Sequence, residues 1–315
     1  MNTIYLGREE VKKEPCVATI GFFDGVHLGH RYLIGEVARA ARESGIKSVV
    51  VTFDRHPREV LQSSFRPELL STLPEKLQRL SQTEADYCVV MPFDRETAAY
   101  TAHDFMEKVL RNRLGVERLV IGYDNRFGRN RSEGMDDYVR FGHELGMEVS
   151  QADAMRMEGV NVSSTVIRGF LSQGEVEKAN RCLGYAYSLS GMVESGYRIG
   201  RKIGFPTANL SLSGCCKLVP QEGVYAVRVT VEGEKIQRQG MMNIGKRPTF
   251  DGRRTTAEVH VIGYKGDLYG QMLTVEFVHR LREERSFDGI EQLTAQLQED
   301  KRQVTEWFDR EKDAG

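Results

Sequence analysis

A change of pattern near Gly184 constrains this chain of 315 residues more than any other feature. Before it, short apolar runs alternate with segments whose apolar residues recur every three to four positions. After it, apolar and polar residues alternate singly through several segments, and a helical period returns only at the end. Apolar runs separated by amphipathic helices become parallel strands buried on both faces, because each helix must cross over the sheet it leaves. Single alternation without intervening helices gives antiparallel strands, which avoid exposed edges by closing into a barrel. The chain is therefore expected to be an α/β protein of two domains, 1–183 around a parallel sheet and 184–315 around an antiparallel β-barrel. With 40% hydrophobic and 28% charged residues it carries apolar mass for two cores.

In the first half the strands read Cys16–Ile20, Ile46–Phe53, Ala85–Phe93 and Arg118–Gly122, with Met147–Ser150 as a fifth. Helical spacing runs from Leu33 to Ala41, Leu69 to Leu80, Ala102 to Arg113 and Asp136 to Leu145. Ligands of such sheets bind beyond the carboxyl ends of the strands. Gly21-Phe22-Phe23-Asp24-Gly25-Val26-His27-Leu28-Gly29-His30 occupies one such end and leads into a helix. Free N–H groups and the helix dipole favour an anion there. Gly25 and Gly29 let the backbone approach it closely, so the turn reads as a polyphosphate site with His27 and His30 beside it. Asp54-Arg55-His56-Pro57 ends the next strand, and the loop Gly122 to Arg131, with Asp124, Asn125 and Arg126, ends the fourth. Both also suit ordinary turn and surface-loop chemistry. At Ser163-Ser164-Thr165-Val166-Ile167-Arg168 a hydroxyl cluster caps a further helix, Val166 to Leu171, and places an arginine on its first turn. That combination suits a triphosphate whose charge must be neutralised as pyrophosphate leaves.

In the second half Tyr187–Val193, Val224–Val231, Lys235–Asn243, Thr256–Ile262 and Met272–Val278 read as strands, with Glu232-Gly233 as a hairpin turn. A final helix, Ile290 to Phe308, is expected to pack outside the barrel through Leu293, Leu297, Val304 and Phe308. The loop from Gly196 to Gly204, with Arg201 and Lys202, can wrap phosphates through backbone N–H groups, although a plain basic hairpin loop fits the same residues. Beyond Phe205 and Pro206, Thr207 and Asn209 offer neutral oxygens suited to Mg²⁺ when a nucleotide supplies most of the negative ligands. Glu258 could serve as a base. It shares a strand face with Thr256 and His260, and periodicity leaves open whether that face looks into the barrel mouth or into water.

The HxGH at 27–30 and the SSTxIR at 163–168 together resemble the adenylyltransferase superfamily related to class I aminoacyl-tRNA synthetases. GFFDGVHLGH, TFDRHP and GYDNRFG narrow the resemblance to the FMN adenylyltransferase half of bacterial bifunctional riboflavin kinase/FAD synthetases, over about residues 1–183. GYRIGRKIGFPTANL, EGVYAV, MNIGKRPTF, AEVHVIGYKGDLYGQ and LREERSF resemble the flavokinase domain over about residues 184–315. The resemblance implies a Rossmann-like nucleotidyltransferase domain followed by a flavokinase barrel with a C-terminal helix. It implies phosphorylation of riboflavin to FMN and adenylylation of FMN to FAD, with ATP as co-substrate and Mg²⁺ as cofactor. In the adenylyltransferase, ATP is expected at Gly21, Phe22, Asp24, Gly25, His27, Gly29, His30, Ser163, Ser164, Thr165 and Arg168. The FMN is expected at Asp54, His56, Asp124, Asn125 and Arg126. In the kinase, ATP is expected at Gly196, Arg201, Lys202, Gly204, Phe205, Pro206, Thr207 and Asn209, the last and Thr207 also holding Mg²⁺. Riboflavin is expected at Asn243, Gly245, Arg282, Glu284 and Phe287. Glu258 takes the role of base, and His27, His30 and Arg168 that of stabilising charge. One departure stands out: Asn125 occupies a place where the family commonly has an aromatic.

The charge balance limits the alternatives. A formal net charge of -1 provides no general field for nucleic acid or membrane surface, so neither is expected as a partner, while self-association stays open. No run reaches the roughly 18 apolar residues of a membrane span, and the first residues lack the apolar core of a signal peptide. Five cysteines without metal or disulfide spacing suit a reducing compartment, which points to the cytoplasm.

Overall fold

The computed structural model describes residues 1–9, 12–62, 64–195, 200, 203–249 and 252–314. Contacts divide the chain into two compact units, Met1–Val166 and Ile167–Gly315. In the first, β1 (Asn2–Tyr5), β2 (Cys16–Ile20), β3 (Lys47–Phe53), β4 (Tyr87–Met91), β5 (Val116–Ile121) and β6 (Glu148–Gln151) form one parallel sheet. Its order is β1-β4-β3-β2-β5-β6. The order reverses around β2, so the crevice beyond its carboxyl end is where such a sheet receives a ligand. The run Cys16–Ile20 is continuously apolar because the pleat sends neighbours to opposite faces. Cys16, Ala18 and Ile20 join a core with Phe105, Met106, Leu110 and Tyr138, while Val17 joins another with Ile34, Val37 and Leu80.

Helix α1 (Leu28–Ser44) buries Leu33, Ile34, Val37 and Ala41 and ends at Gly45, whose φ of 67° lets its N–H close the helix. α2 (Pro57–Leu61) and α3 (Leu73–Leu80) each start at a capping box with proline in the first turn. That pushes the start of α3 later than the apolar spacing from Leu69 suggests. α4 (Arg95–Ala99) is short, and α5 (Ala102–Phe105) runs on through Met106–Leu114 as a wider π-type helix closed by Gly115. α6 (Met135–Glu144) covers β6, and the two-residue strands β7 (Arg156–Met157) and β8 (Val160–Asn161) form a hairpin before α7 (Ser164–Ser172). Strand β1 has no counterpart in the sequence reading; it is a half-exposed edge strand too short to show a period.

The second unit is built around a closed barrel. Its strands are β9 (Ser188–Glu194), β10 (Ala208–Leu210), β11 (Gly223–Val231), β12 (Gln237–Thr249), β13 (Gly252–Val261) and β14 (Met272–Arg282), in the order β10-β13-β12-β11-β14-β9. The three residues of β10 close it, again too few for a readable alternation. α8 (Val176–Leu183) packs on the barrel: the Asn180 amide donates to the Phe277 carbonyl at 2.8 Å and accepts the Tyr187 N–H at 2.7 Å, and Glu177 pairs with His279. Residues 167–183 therefore group with the barrel, ahead of the change of period at Gly184. α9 (Ile290–Ala314) lies against the outside of the barrel, burying Val304 and Phe308 with Met241, Val278 and Phe205. Asp300, fully buried, takes both ends of the Arg282 guanidinium at 2.7 and 2.9 Å.

Candidate functional site

The Gly21–His30 turn is bent through three residues at positive φ within four positions: Phe23 at 54°, Gly25 at 78° and Val26 at 41°. A buried β-branched residue at positive φ stores on the order of 1–3 kcal/mol, which only a surrounding network can hold. The network is visible. The buried Asp24 carboxylate accepts the N–H groups of Leu70 at 2.9 Å and Ser71 at 3.1 Å, and the Gly25 N–H donates to the Ser71 hydroxyl at 2.9 Å. Asp24 thus shapes the turn with its carboxylate rather than presenting it outward.

His27 caps α1, its Nδ1 accepting the His30 N–H at 3.3 Å. The two imidazoles stack with centroids 3.5 Å apart. His30 Nδ1 is buried and has no hydrogen-bond partner among the described residues. Burial, then His27, then Lys76 hold its pKa well below 6.5, so His30 is neutral in the ligand-free protein. A Cβ on Gly29 would lie 2.9 Å from the Val162 carbonyl and 3.2 Å from the His27 ring. The second motif therefore reaches the first. Ser163 caps α7 through the Val166 N–H at 3.3 Å, and Ser164 donates to the Asp24 carbonyl at 3.1 Å. Thr165 is exposed; Arg168 is partly buried on α7, on the far side of the contact division.

On the flavin side of the expectation, His56 caps α2 and sets its ring edge-on to Phe22 with centroids 5.0 Å apart. Asp54 accepts the Phe93 N–H at 2.9 Å. Both residues carry the turn chemistry that their motif also suggested, yet His56 stands beside the Gly21–His30 turn through Phe22. Asp124 and Arg126 are exposed. Asn125 donates its amide to the Ile20 carbonyl at 2.5 Å, which ties this loop to the end of β2 where an aromatic could only pack. One residue escaped the sequence reading. Lys76 is 2% exposed beneath Phe22, and the signal was there: it falls three residues after Leu73 and four before Leu80, on the apolar face of α3.

In the barrel, Ala257, Val259 and Val261 are buried whereas Glu258 and Thr256 are partly exposed. The Glu258 face thus opens outward and not into the barrel interior, because the close-packed inside takes the small apolar residues of β13. It is not a plain solvated glutamate. Asn209 on β10 and Asn243 on β12 stand directly opposite it, and the Thr207 hydroxyl donates to its carboxylate at 3.4 Å. His260, farther along the same face, is buried and donates from Nδ1 to the Pro206 carbonyl at 2.8 Å, with its pKa lowered by burial. That bond fixes the Phe205–Asn209 segment against β13.

Gly196, Arg201 and Lys202 lie outside the described residues. Of the same loop, Gly200 accepts the Phe205 N–H at 2.8 Å, and Gly204 turns the chain at φ 82°. An open pocket adjoins Thr207, lined also by Pro206, Val193, Tyr264, Asp267 and Tyr269, the last three falling within the AEVHVIGYKGDLYGQ stretch. At the other end of the row, Asn243 donates to Glu284 at 3.3 Å, and a Cβ on Gly245 would collide with the same carboxylate. Arg282 is committed to Asp300 and stands over the Phe287 ring at 5.9 Å. Asn243, Gly245 and Glu284 therefore form one cluster, with Arg282 bracing Phe287 rather than reaching into open space.

These two constellations have relatives. The family model described as FAD synthetase matches residues 9–166, and that described as riboflavin kinase matches residues 183–308. The bifunctional riboflavin kinase/FMN adenylyltransferase of Escherichia coli is 37% identical over 299 residues, 95% of each chain. Its Bacillus subtilis counterpart is 34% identical over 321 residues, 98% of each chain. A solved structure described as a macrolide-efflux protein from Streptococcus pneumoniae matches with a TM-score of 0.86 at 29% identity, covering 98% of this chain and 100% of that one. That description belongs to that protein; among the residues described here no helix is long and apolar enough to cross a membrane. The chain belongs to the bifunctional riboflavin kinase/FMN adenylyltransferase family.

Proposed function

We propose that this chain phosphorylates riboflavin to FMN with its barrel and adenylylates FMN to FAD with its parallel-sheet unit, using the residues grouped above. The observation that carries the second assignment is the meeting of the HxGH turn with the Ser163–Ser164 helix start. A phosphate oxygen of FMN attacks the α-phosphorus of ATP, the bond to the β-phosphate oxygen breaks, and pyrophosphate leaves. The FMN phosphate is already ionised at neutral pH, so the turn has to bind and neutralise, not to take a proton. Backbone N–H groups at the start of α1, with His27, supply donors to the triphosphate. His30 is neutral until a polyanion arrives, whose charge raises its pKa and draws a proton onto the ring. Arg168 adds a cation for the departing pyrophosphate.

In the barrel, Glu258 accepts the proton of the riboflavin 5′-hydroxyl as that oxygen attacks the γ-phosphorus of ATP, and ADP leaves. Phosphoryl transfer depends mainly on positioning and charge neutralisation, and the row Thr207, Asn209, Glu258 and Asn243 provides the positions. The donor set fits Mg²⁺. Thr207 and Asn209 offer hard neutral oxygens, and no cluster of three His, Cys, Asp or Glu occurs among the described residues that would suit an all-protein cage. Held there, Mg²⁺ would neutralise phosphate charge along the transfer coordinate. Five free cysteines agree with a reducing compartment, and we place the protein in the cytoplasm.

The test is to incubate the purified protein with riboflavin, ATP and Mg²⁺ and to follow FMN and FAD by chromatography. Replacing His27 and His30 together by alanine should abolish FAD formation and leave FMN formation intact. Equal loss of both steps in a folded double variant would overturn the two-site assignment.

A further inference from the structure

Helix α3 buries two residues, Leu80, as an amphipathic helix requires, and Lys76, which it does not. The Lys76 ammonium donates to the Phe22 carbonyl at 3.0 Å, the Thr52 hydroxyl at 3.1 Å and the Phe53 carbonyl at 2.8 Å, and lies 4.2 Å from the centre of the Phe22 ring. Three donors meet three oxygens. A neutral amine has two N–H bonds and a lone pair, so it would keep all three contacts only if the Thr52 hydroxyl withdrew its own hydrogen bond from the Phe22 carbonyl, and the network would still lose one bond. Among the described residues no carboxylate pairs with this cation directly. Asp24 and Asp54 act on it only through space, their oxygens taken by Leu70, Ser71 and Phe93. A buried cation without a contacting counter-ion is costly to a fold, and an apolar residue would serve α3 better.

What the ammonium joins is informative. Phe22 belongs to the turn after β2, and Phe53 immediately precedes Asp54-Arg55-His56 after β3. Those two turns were assigned to ATP and to FMN. We propose that Lys76 is a positioning residue for adenylyl transfer: it clamps the carboxyl ends of β2 and β3 together and fixes a positive charge behind the anion-binding turn. This rests on the assignment of that turn to ATP and of its neighbour to FMN. Burial lowers the Lys76 pKa to about 8 despite the pull of Asp24 from the turn, Cys88 from β4 and Asp54 from the loop after β3. His30, on α1, feels the same charge from the other side. Above about pH 8 the ammonium loses its proton and the network loses one bond.

The experiment uses the full-length protein and Lys76→Met. FAD formation from supplied FMN and ATP should fall about tenfold to a hundredfold, chiefly in kcat, since the two substrates lose their mutual alignment. Riboflavin phosphorylation in the same preparation should stay at the wild-type rate. The wild-type adenylylation kcat should decline above about pH 8, whereas the variant should show a flat profile, and Lys76→Arg should recover part of the lost rate without the alkaline decline. Hydrogen exchange reads the clamp without turnover: amides of Gly21–Val26 and of Phe53–Arg55 should exchange faster in Lys76→Met. Wild-type kcat in the variant, or unchanged exchange in both turns, overturns the proposal. If the wild type forms no FAD at all, the assignment of the site fails instead, and the exchange measurement still decides the role of Lys76.

Discussion

At the scale of single residues the proposed adenylyl site is a set of close approaches. Gly29 stands where a methyl group would lie 2.9 Å from the Val162 carbonyl, a backbone atom that cannot swing away. Gly29→Ala should therefore destabilise the first unit by about 1–3 kcal/mol, seen as a lowered melting midpoint, and should weaken ATP binding because the His27 ring is displaced with it. His30 gives a pH prediction. Its folded pKa lies well below the unfolded value near 6.5, because burial, His27 and Lys76 all oppose the charged form. As pH falls below about 6.5 the unfolded chain takes up a proton that the folded chain refuses, so stability falls with pH in that window. The melting midpoint of the ligand-free protein should drop between about pH 7 and pH 5.5 by more in the wild type than in His30→Gln. ATP should shrink the difference, since its phosphates favour the protonated ring. An identical pH slope in both proteins would exclude His30 as the group responsible.

At the scale of elements, α9 is held to β14 by one buried charge pair as well as by Val304 and Phe308. Asp300 is wholly buried and also accepts the Gln296 amide at 2.6 Å. Removing it leaves the Arg282 guanidinium without its partner in a mostly buried setting. Asp300→Ala should cost about 3 kcal/mol and raise the KM for riboflavin, because Arg282 no longer holds its place over Phe287; thermal melts and kinase kinetics would report the two effects separately. The same elements show what could be read without coordinates. Long periodic segments such as α1, β3 and β11 were legible because burial repeats along them. β1 and β10 were not, since three or four residues carry no period. The partners of Lys76 and the outward face of Glu258 were hidden for another reason: the helical spacing marks Lys76 as facing the core, but which oxygens it meets there depends on the sheet order that brings Phe22 and Phe53 together.

At the scale of the whole molecule, each unit has its own core; the Gly21–His30 turn and Ser163–Ser164 lie in the first, and the Glu258 row lies in the second. The chemistry should therefore be separable by mutation in both directions. Glu258 is the strongest handle because its strand neighbours, Asn209, Asn243 and the Thr207 hydroxyl, are neutral and can tolerate an amide in its place. Glu258→Gln keeps the volume and the hydrogen bond to Thr207 but can no longer accept a proton from the riboflavin hydroxyl. Loss of a general base costs on the order of 10²–10⁴ in rate, so FMN formation should fall by that factor with little change in KM. Given FMN instead of riboflavin, the same variant should form FAD at the wild-type rate, because nothing in the parallel-sheet unit has changed. Supplying riboflavin alone should then give an FAD rate that tracks the crippled first step, and adding FMN should restore it. If added FMN fails to restore FAD formation in a folded Glu258→Gln variant, the two reactions are not independent and the assignment of one step to each unit is wrong.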